Sequence, residues 1–232
     1  MSRSTQIIAH RGASHAEPEN TLAAFRRAGA MGADAVELDV RVTADGLLVV
    51  HHDAGLPDGR RIASIDAREL PAHVPPLDAA LDACRGMWVN VEIKNYPGDP
   101  DFDAASKVAD ATIAALLDRP AGERFLVSCF HLDTIDRCRE LAPEIPTAFL
   151  CAIVPDRIAA LLAERGHQAF HPWDPTVTAA LIDECHAAGV DVNTWTCDDA
   201  ERMAQLLRWG IDGICTNDPD VALAVRERAA AG

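Results

Sequence analysis

Ala35-Val36-Glu37-Leu38-Asp39-Val40-Arg41-Val42-Thr43-Ala44-Asp45-Gly46-Leu47-Leu48-Val49-Val50-His51-His52-Asp53 is the segment around which the rest of the chain is organised. Two apolar, β-branched runs flank the turn signal Ala44-Asp45-Gly46. Glu37 and Asp39 lie two apart, so in a strand they share one face. The second run delivers His51, His52 and Asp53 at its end. Too few residues join the runs for a crossover, so residues 47–52 are expected to pair antiparallel with 40–43. Carboxylates at one strand end and an imidazole at the next are costly to bury, and a divalent cation would offset that cost.

Upstream, Ile7–Ala9 reads as a short strand running into His10-Arg11-Gly12. Pro18-Glu19-Asn20-Thr21 opens a helix, with Asn20 or Thr21 as its cap, and Leu22, Phe25 and Ala28 continue at helical spacing. Downstream, residues 54–76 read as loop, then a helix over 77–84 and a strand over 88–94. A long helix follows over 102–117. Strands over 125–129, 146–150, 168–171, 190–195 and 212–215 then alternate with helices over 132–141, 155–164, 176–188, 199–209 and 219–229. Asp198, with Glu201 three residues on, resembles a capping box. Gly32-Ala33-Asp34, Gly189-Val190-Asp191 and Gly210-Ile211-Asp212 each close a helix and open a strand, a weak internal repeat. Leaving out the hairpin return, eight strand–helix units predict a (β/α)₈ TIM barrel. It would be one catalytic domain over 1–232, with a short hairpin after strand two and no sizeable inserted subdomain. A doubly wound sheet is the competing architecture, but no G-x-G-x-x-G follows strand one.

The composition narrows the partners. The chain has 232 residues, is 49% hydrophobic and carries a net charge of −15, without a basic stripe, which speaks against nucleic acid. Seven scattered cysteines without a C-x-x-C pair read as reduced thiols in a cytoplasmic protein. No apolar run spans a bilayer, and no signal-peptide core precedes His10. The expected partner is a small molecule; assembly into a homo-oligomer is left open.

Barrel enzymes place their chemistry at the C-terminal strand ends. Those ends here carry His10-Arg11, Glu37 and Asp39, Asn90-Glu92-Lys94, His131, His171, Asn193-Trp195 and Thr216-Asn217-Asp218. Glu37, Asp39 and Glu92 form an all-oxygen set that suits Mg²⁺ or Ca²⁺, with Mn²⁺ a third option, and argues against zinc. The competing reading is that Arg11 and Lys94 neutralise the three as salt bridges. Lys94 stands out because the chain has two lysines, Lys94 and Lys107, against nineteen arginines. His10 and His52 are the candidate acid and base, with Asp53 placed to orient a ring. His51 should point away from His52. Trp195 is expected either to wall a substrate pocket or to fill the barrel top. His131 and His171 are read as structural.

His10-Arg11-Gly12, Pro18-Glu19-Asn20-Thr21, Glu37-Leu38-Asp39-Val40, Asp45-Gly46, His52-Asp53, Glu92-Ile93-Lys94 and the closing run from Gly210 to Pro219 resemble the glycerophosphodiester phosphodiesterase family. The resemblance implies a barrel that hydrolyses glycerophosphodiesters to glycerol 3-phosphate and an alcohol. It further implies a divalent metal at Glu37, Asp39 and Glu92, His10 and His52 as the acid–base pair, and Arg11 and Lys94 on the phosphate. Glu19, in the matching P-E-N-T element, would support the metal or a neighbour from behind. Two departures stand out. Thr216-Asn217 replaces the usual Thr-Asp, and the segment after Asp53 is short where many relatives carry a small covering subdomain. A lysophospholipase D-like phosphodiesterase and a Mg²⁺-dependent barrel lyase or isomerase with Lys94 as base are the alternative functions.

Overall fold

The computed structural model describes residues 4–231. Eight parallel strands close on themselves: β1 (Gln6–His10), β2 (Ala35–Val42), β4 (Trp88–Ile93), β5 (Phe125–Cys129), β6 (Thr147–Cys151), β7 (Ala169–Pro172), β8 (Asp191–Thr194) and β9 (Gly213–Thr216). Each pairs with the next around the ring, and β9 returns to pair with β1. The expected TIM barrel is therefore the observed one. The remaining strand, β3 (Leu48–Val50), pairs antiparallel with β2 through Val40–Val50, Arg41–Val49 and Val42–Leu48, as the hairpin reading required. Its turn closes between Thr43 and Leu47, with Gly46 at φ +87°.

Helices α1 (Leu22–Met31), α2 (Leu77–Ala83), α3 (Lys107–Leu117), α4 (Leu132–Leu141), α5 (Ile158–Arg165), α6 (Ala179–Ala187), α7 (Ala200–Arg208) and α8 (Pro219–Ala231) surround the barrel. The main apolar core lies between strands and helices. Ile7, Val36, Leu38, Val91 and Ile93 from the strands meet Phe25, Leu81, Ile113 and Ile135 from the helices. Fully burying side chains of this size contributes roughly 1.5–3 kcal/mol each. Thr21, not Asn20, caps α1, accepting from the Ala24 N–H. The three repeated glycines, Gly32, Gly189 and Gly210, all lie in the left-handed region that ends a helix.

Five expectations shift. The helix expected from residue 102 begins at Lys107, because Asp103 accepts from the Lys107 and Ala105 N–H groups and Ser106 takes φ +51°. The segment before α3 is tied instead to Asn95, which exchanges two hydrogen bonds with Asp103. Helix α5 starts after Arg157, at φ +58°, and α6 after its cap Thr178. Asp199, not Asp198, caps α7 by accepting from the Arg202 N–H, which frees Asp198 for another task. Residues 54–76 are more than loop: Val49, Leu56, Ile62, Ile65 and Val74 form a small apolar cluster beneath two short 3₁₀ turns.

Candidate active site

Strand register decides which side chains meet. His10 on β1 lies beside Glu37 on β2, Glu37 beside Asn90 on β4, and Asp39 beside Glu92. The barrel thus stacks His10, Glu37 and Asn90 in one layer, with Asp39 and Glu92 in the layer above, towards the C-terminal rim. All three carboxylates are buried. Ligand atoms from Glu37, Asp39 and Glu92 lie within 4.8 Å of one another, close enough to hold one cation.

The cluster already has two cationic neighbours. Lys94 Nζ lies 2.6 Å from Glu92 Oε1 and 3.3 Å from Asp39 Oδ1. Arg11 Nε lies 3.2 Å from Asp39 Oδ2 but is poorly aligned for a hydrogen bond, and its Nη1 sits 2.9 Å from both Glu19 oxygens. Salt bridging, the competing reading, is thus real; it does not use up the acids. Three carboxylates face two cations, and Glu37 Oε1 is buried with no hydrogen-bond partner, although Oε2 accepts from the Arg11 N–H at 2.9 Å. An orphaned carboxylate oxygen beside two other buried acids is what a divalent cation satisfies.

The electrostatics follow. Burial, then Asp39 and Glu92, push the Glu37 carboxyl well above its usual range. Asp39 feels the same burial, but Lys94, Arg11 and His52, with the 2.7 Å hydrogen bond from Asn20 Nδ2, carry it below. Burial raises Glu92 despite Lys94. Burial lowers Lys94 too, but Glu92 and Asp39 outweigh it, so the ammonium keeps its proton.

The two histidines flank this cluster. His10 Nδ1 lies 2.7 Å from Asn217 Oδ1, and burial, followed by Arg11, lowers its pKa. His52 Nδ1 lies 2.7 Å from Asp53 Oδ1, and that hydrogen bond lowers the Asp53 pKa. His51 turns aside to the Asp53 carbonyl. Trp195 donates from its indole to the His171 carbonyl and meets Phe130 edge-on at 5.4 Å, so it does structural work at the rim while lining a cavity of about 20 Å³ with His10 and Glu37. His171 is buried and accepts from Asn193 Nδ2 through Nε2; His131 hydrogen-bonds Thr134.

Sequence reasoning missed Arg41, and it flagged Asn217 only as a departure, without a role. Arg41 is buried and donates from Nε and Nη2 to the His52 carbonyl. Outside the carboxylates, an open cavity of about 610 Å³ is bounded by His52, Glu92 and Lys94 on one side and by Tyr96, Phe130, Phe149 and Ile153 on the other.

Among known proteins, residues 10–221 match the family described as "Glycerophosphoryl diester phosphodiesterase family". A glycerophosphodiester phosphodiesterase of Caldanaerobacter subterraneus subsp. tengcongensis is 31% identical, with 94% of this chain and 96% of that protein aligned. One from Bacillus altitudinis is 30% identical over 96% and 98%. Among solved structures, an Oleispira antarctica phosphodiesterase in complex with the product sn-glycerol-3-phosphate superposes with a TM-score of 0.89 at 26% identity, covering 97% of each chain. With the barrel, the acidic cluster and these likenesses together, the chain belongs to the glycerophosphoryl diester phosphodiesterase family and is an enzyme of that class.

Proposed function

We propose that this enzyme hydrolyses glycerophosphodiesters to glycerol 3-phosphate and an alcohol, with His10 and His52 as its acid–base pair. Glu37, Asp39 and Glu92 would hold one divalent cation, Mg²⁺ or Ca²⁺ by donor chemistry. The observation that carries the reading is the convergence of three buried carboxylates between His10, at the end of β1, and His52, just past β3. The product bound to the Oleispira relative points to the same half of the substrate.

When bound, the cation supplies Lewis-acid polarisation of the phosphate. Arg11 and Lys94 bind phosphoryl oxygens and oppose charge growing there. Glu19 holds the Arg11 guanidinium, and Asp53 orients the His52 ring. One histidine takes the proton of the nucleophile, either water or the neighbouring glycerol hydroxyl, and the other protonates the leaving alcohol; where the hydroxyl attacks, water then opens the cyclic phosphodiester with the two histidine roles exchanged. The leaving group occupies the 610 Å³ cavity, which His52 borders and Trp195 closes through Phe130. Lys94 as base of a lyase or isomerase fits poorly, since an ammonium 2.6 Å from Glu92 is a donor. Residues 1–232 act as one catalytic domain, and the seven free cysteines support a cytoplasmic setting.

A lysophospholipase D-like activity has one observation in its favour. The cavity wall opposite His52, Glu92 and Lys94 is apolar, and Tyr96 and Ile153 on it are 52% and 84% exposed.

A panel of small-headgroup glycerophosphodiesters and lysophospholipids, assayed for the phosphomonoester product, tests both. Turnover is expected with the first set, to vanish in EDTA, and to return with Mg²⁺ or Ca²⁺. His10→Ala and His52→Ala should each lose about 10²–10⁴-fold. Full turnover in chelator removes the cation, and either variant near wild type removes the histidine pair.

A further inference from the structure

Asn217 directly follows β9, and its hydrogen bonds are determined by its neighbours. Asp198 Oδ2 lies 2.7 Å from Asn217 Nδ2. Asp198 Oδ1 accepts from the Asn217 N–H and from Thr216 Oγ1, both at 2.8 Å. An ionised carboxylate only accepts, so the Asn217 side-chain amide must turn its NH₂ to Asp198. The flipped amide would set two proton-free oxygens 2.7 Å apart. Asn217 Oδ1 therefore faces the other way, 2.7 Å from His10 Nδ1 and 2.8 Å from Ser14 Oγ. An amide oxygen is likewise only an acceptor, so His10 Nδ1 must carry a proton.

We propose that Asp198 and Asn217 are positioning residues that fix His10 in its Nδ1–H tautomer and leave Nε2 as the ring atom available for proton transfer. The assignment runs through a chain in which each group has one allowed sense: Asp198 accepts, Asn217 relays and His10 donates. Ser14 Oγ lies 2.8 Å from both the His10 carbonyl and Asn217 Oδ1; with one proton it donates to one of them at a time, so the sense of the chain is set by Asp198. The relay sits behind the ring, away from the carboxylate cluster, and holds it without placing a charge directly against it. This explains why Asp198 is not the helix cap: its oxygens are already filled by three donors from β9 and the residue after it. The catalytic consequence rests on His10 being half of the proposed acid–base pair; the tautomer does not.

Long-range ¹H–¹⁵N NMR on histidine-labelled enzyme reads the tautomer directly, with His10 assigned by its loss in His10→Gln. Wild type is expected to show His10 with Nδ1 protonated and Nε2 bare in the neutral ring. In Asn217→Leu the signal should move towards a mixture of both forms, and kcat should fall about 10–100-fold with KM within about threefold. Asn217→Asp alone sets a carboxylate against Asp198 and should also lose turnover. The double variant Asn217→Asp/Asp198→Asn restores a donor and an acceptor at every contact and should recover most of it. An Nε2–H tautomer in wild type overturns the proposal without any variant, as does Asn217→Leu with unchanged tautomer and turnover. Failure of phosphodiester hydrolysis in wild type would strike the proposed function and leave the tautomer result standing.

Discussion

Arg41 and His52, eleven residues apart across the hairpin, are joined side chain to backbone: Nε and Nη2 of the guanidinium donate to the His52 carbonyl at 2.8 and 2.6 Å. The remaining donors reach Asp101 at 2.7 Å and Asp99 at 3.2 Å. One buried cation thus ties the hairpin that carries His52 to the loop after β4.

Removing it should be costly twice over. Arg41→Met leaves two carboxylates and a carbonyl without their donor, and breaking a buried pair of this kind costs about 3–5 kcal/mol. Urea unfolding should show that loss, and the folded fraction should turn over more slowly because His52 is no longer anchored. A change below about 1 kcal/mol would mean that the pairing is replaced by water.

Glu37→Gln tests the cation site without an activity assay. At a hundred times its dissociation constant, a cation raises wild-type stability by about 2.7 kcal/mol. Thermal unfolding with and without Mg²⁺ or Ca²⁺ should show that rise in wild type and lose it in the variant. In metal-free protein the Glu37 carboxyl is raised above the ordinary value of 4.5. The native state then binds more protons than the unfolded chain, so stability falls as pH rises from about 4.5 through the raised value. Glu37→Gln should flatten that slope.

His171 predicts the opposite dependence. Burial pushes it from 6.5 down to about 3. Between those values the unfolded chain binds the extra proton, so His171 costs no stability above pH 6.5 and destabilises progressively as pH drops towards 3, by about 1.4 kcal/mol per unit. His171→Asn should resist acid better than wild type in pH-dependent chemical denaturation. An identical acid profile would mean that the ring is charged in the folded protein.

Gly12 and Gly46 both have positive φ, at +83° and +87°, yet only one is crowded. A Cβ at Gly12 would meet the Ala24 carbonyl carbon at 2.6 Å, whereas at Gly46 nothing lies within 4 Å. Gly46→Ala should cost about 1–2 kcal/mol from backbone strain alone. Gly12→Ala should cost about 3 kcal/mol or more and displace the His10-Arg11 turn from α1. Equal melting temperatures for the two variants would contradict the close approach.

The legible part of this chain is what local pattern encodes. Period-two placement put Glu37 and Asp39 on one face, and the count of strand–helix units gave the barrel. Asp39 opposite Glu92 depends on register between strands some fifty residues apart, which no window of sequence contains. Arg41 was hidden because an arginine inside an apolar strand reads as the solvent-facing residue of an edge. Asp198 was misread because Asp198 and Asp199 both precede α7, and the short-range capping pattern fits either. Only the tertiary demand of Asn217 separates them.

The β2–β3 hairpin has one more consequence. Residues 35–53 travel as a covalent unit, tied again where the His51 N–H meets the Asp39 carbonyl at 2.9 Å. The chain from 54 to 76 packs against that unit: Val49 shares an apolar cluster with Leu56, Ile62, Ile65 and Val74, and the Val50 N–H donates to the Pro75 carbonyl at 2.9 Å. Lengthening or exchanging that stretch would therefore pull on the return strand and, through it, on His52 two residues beyond.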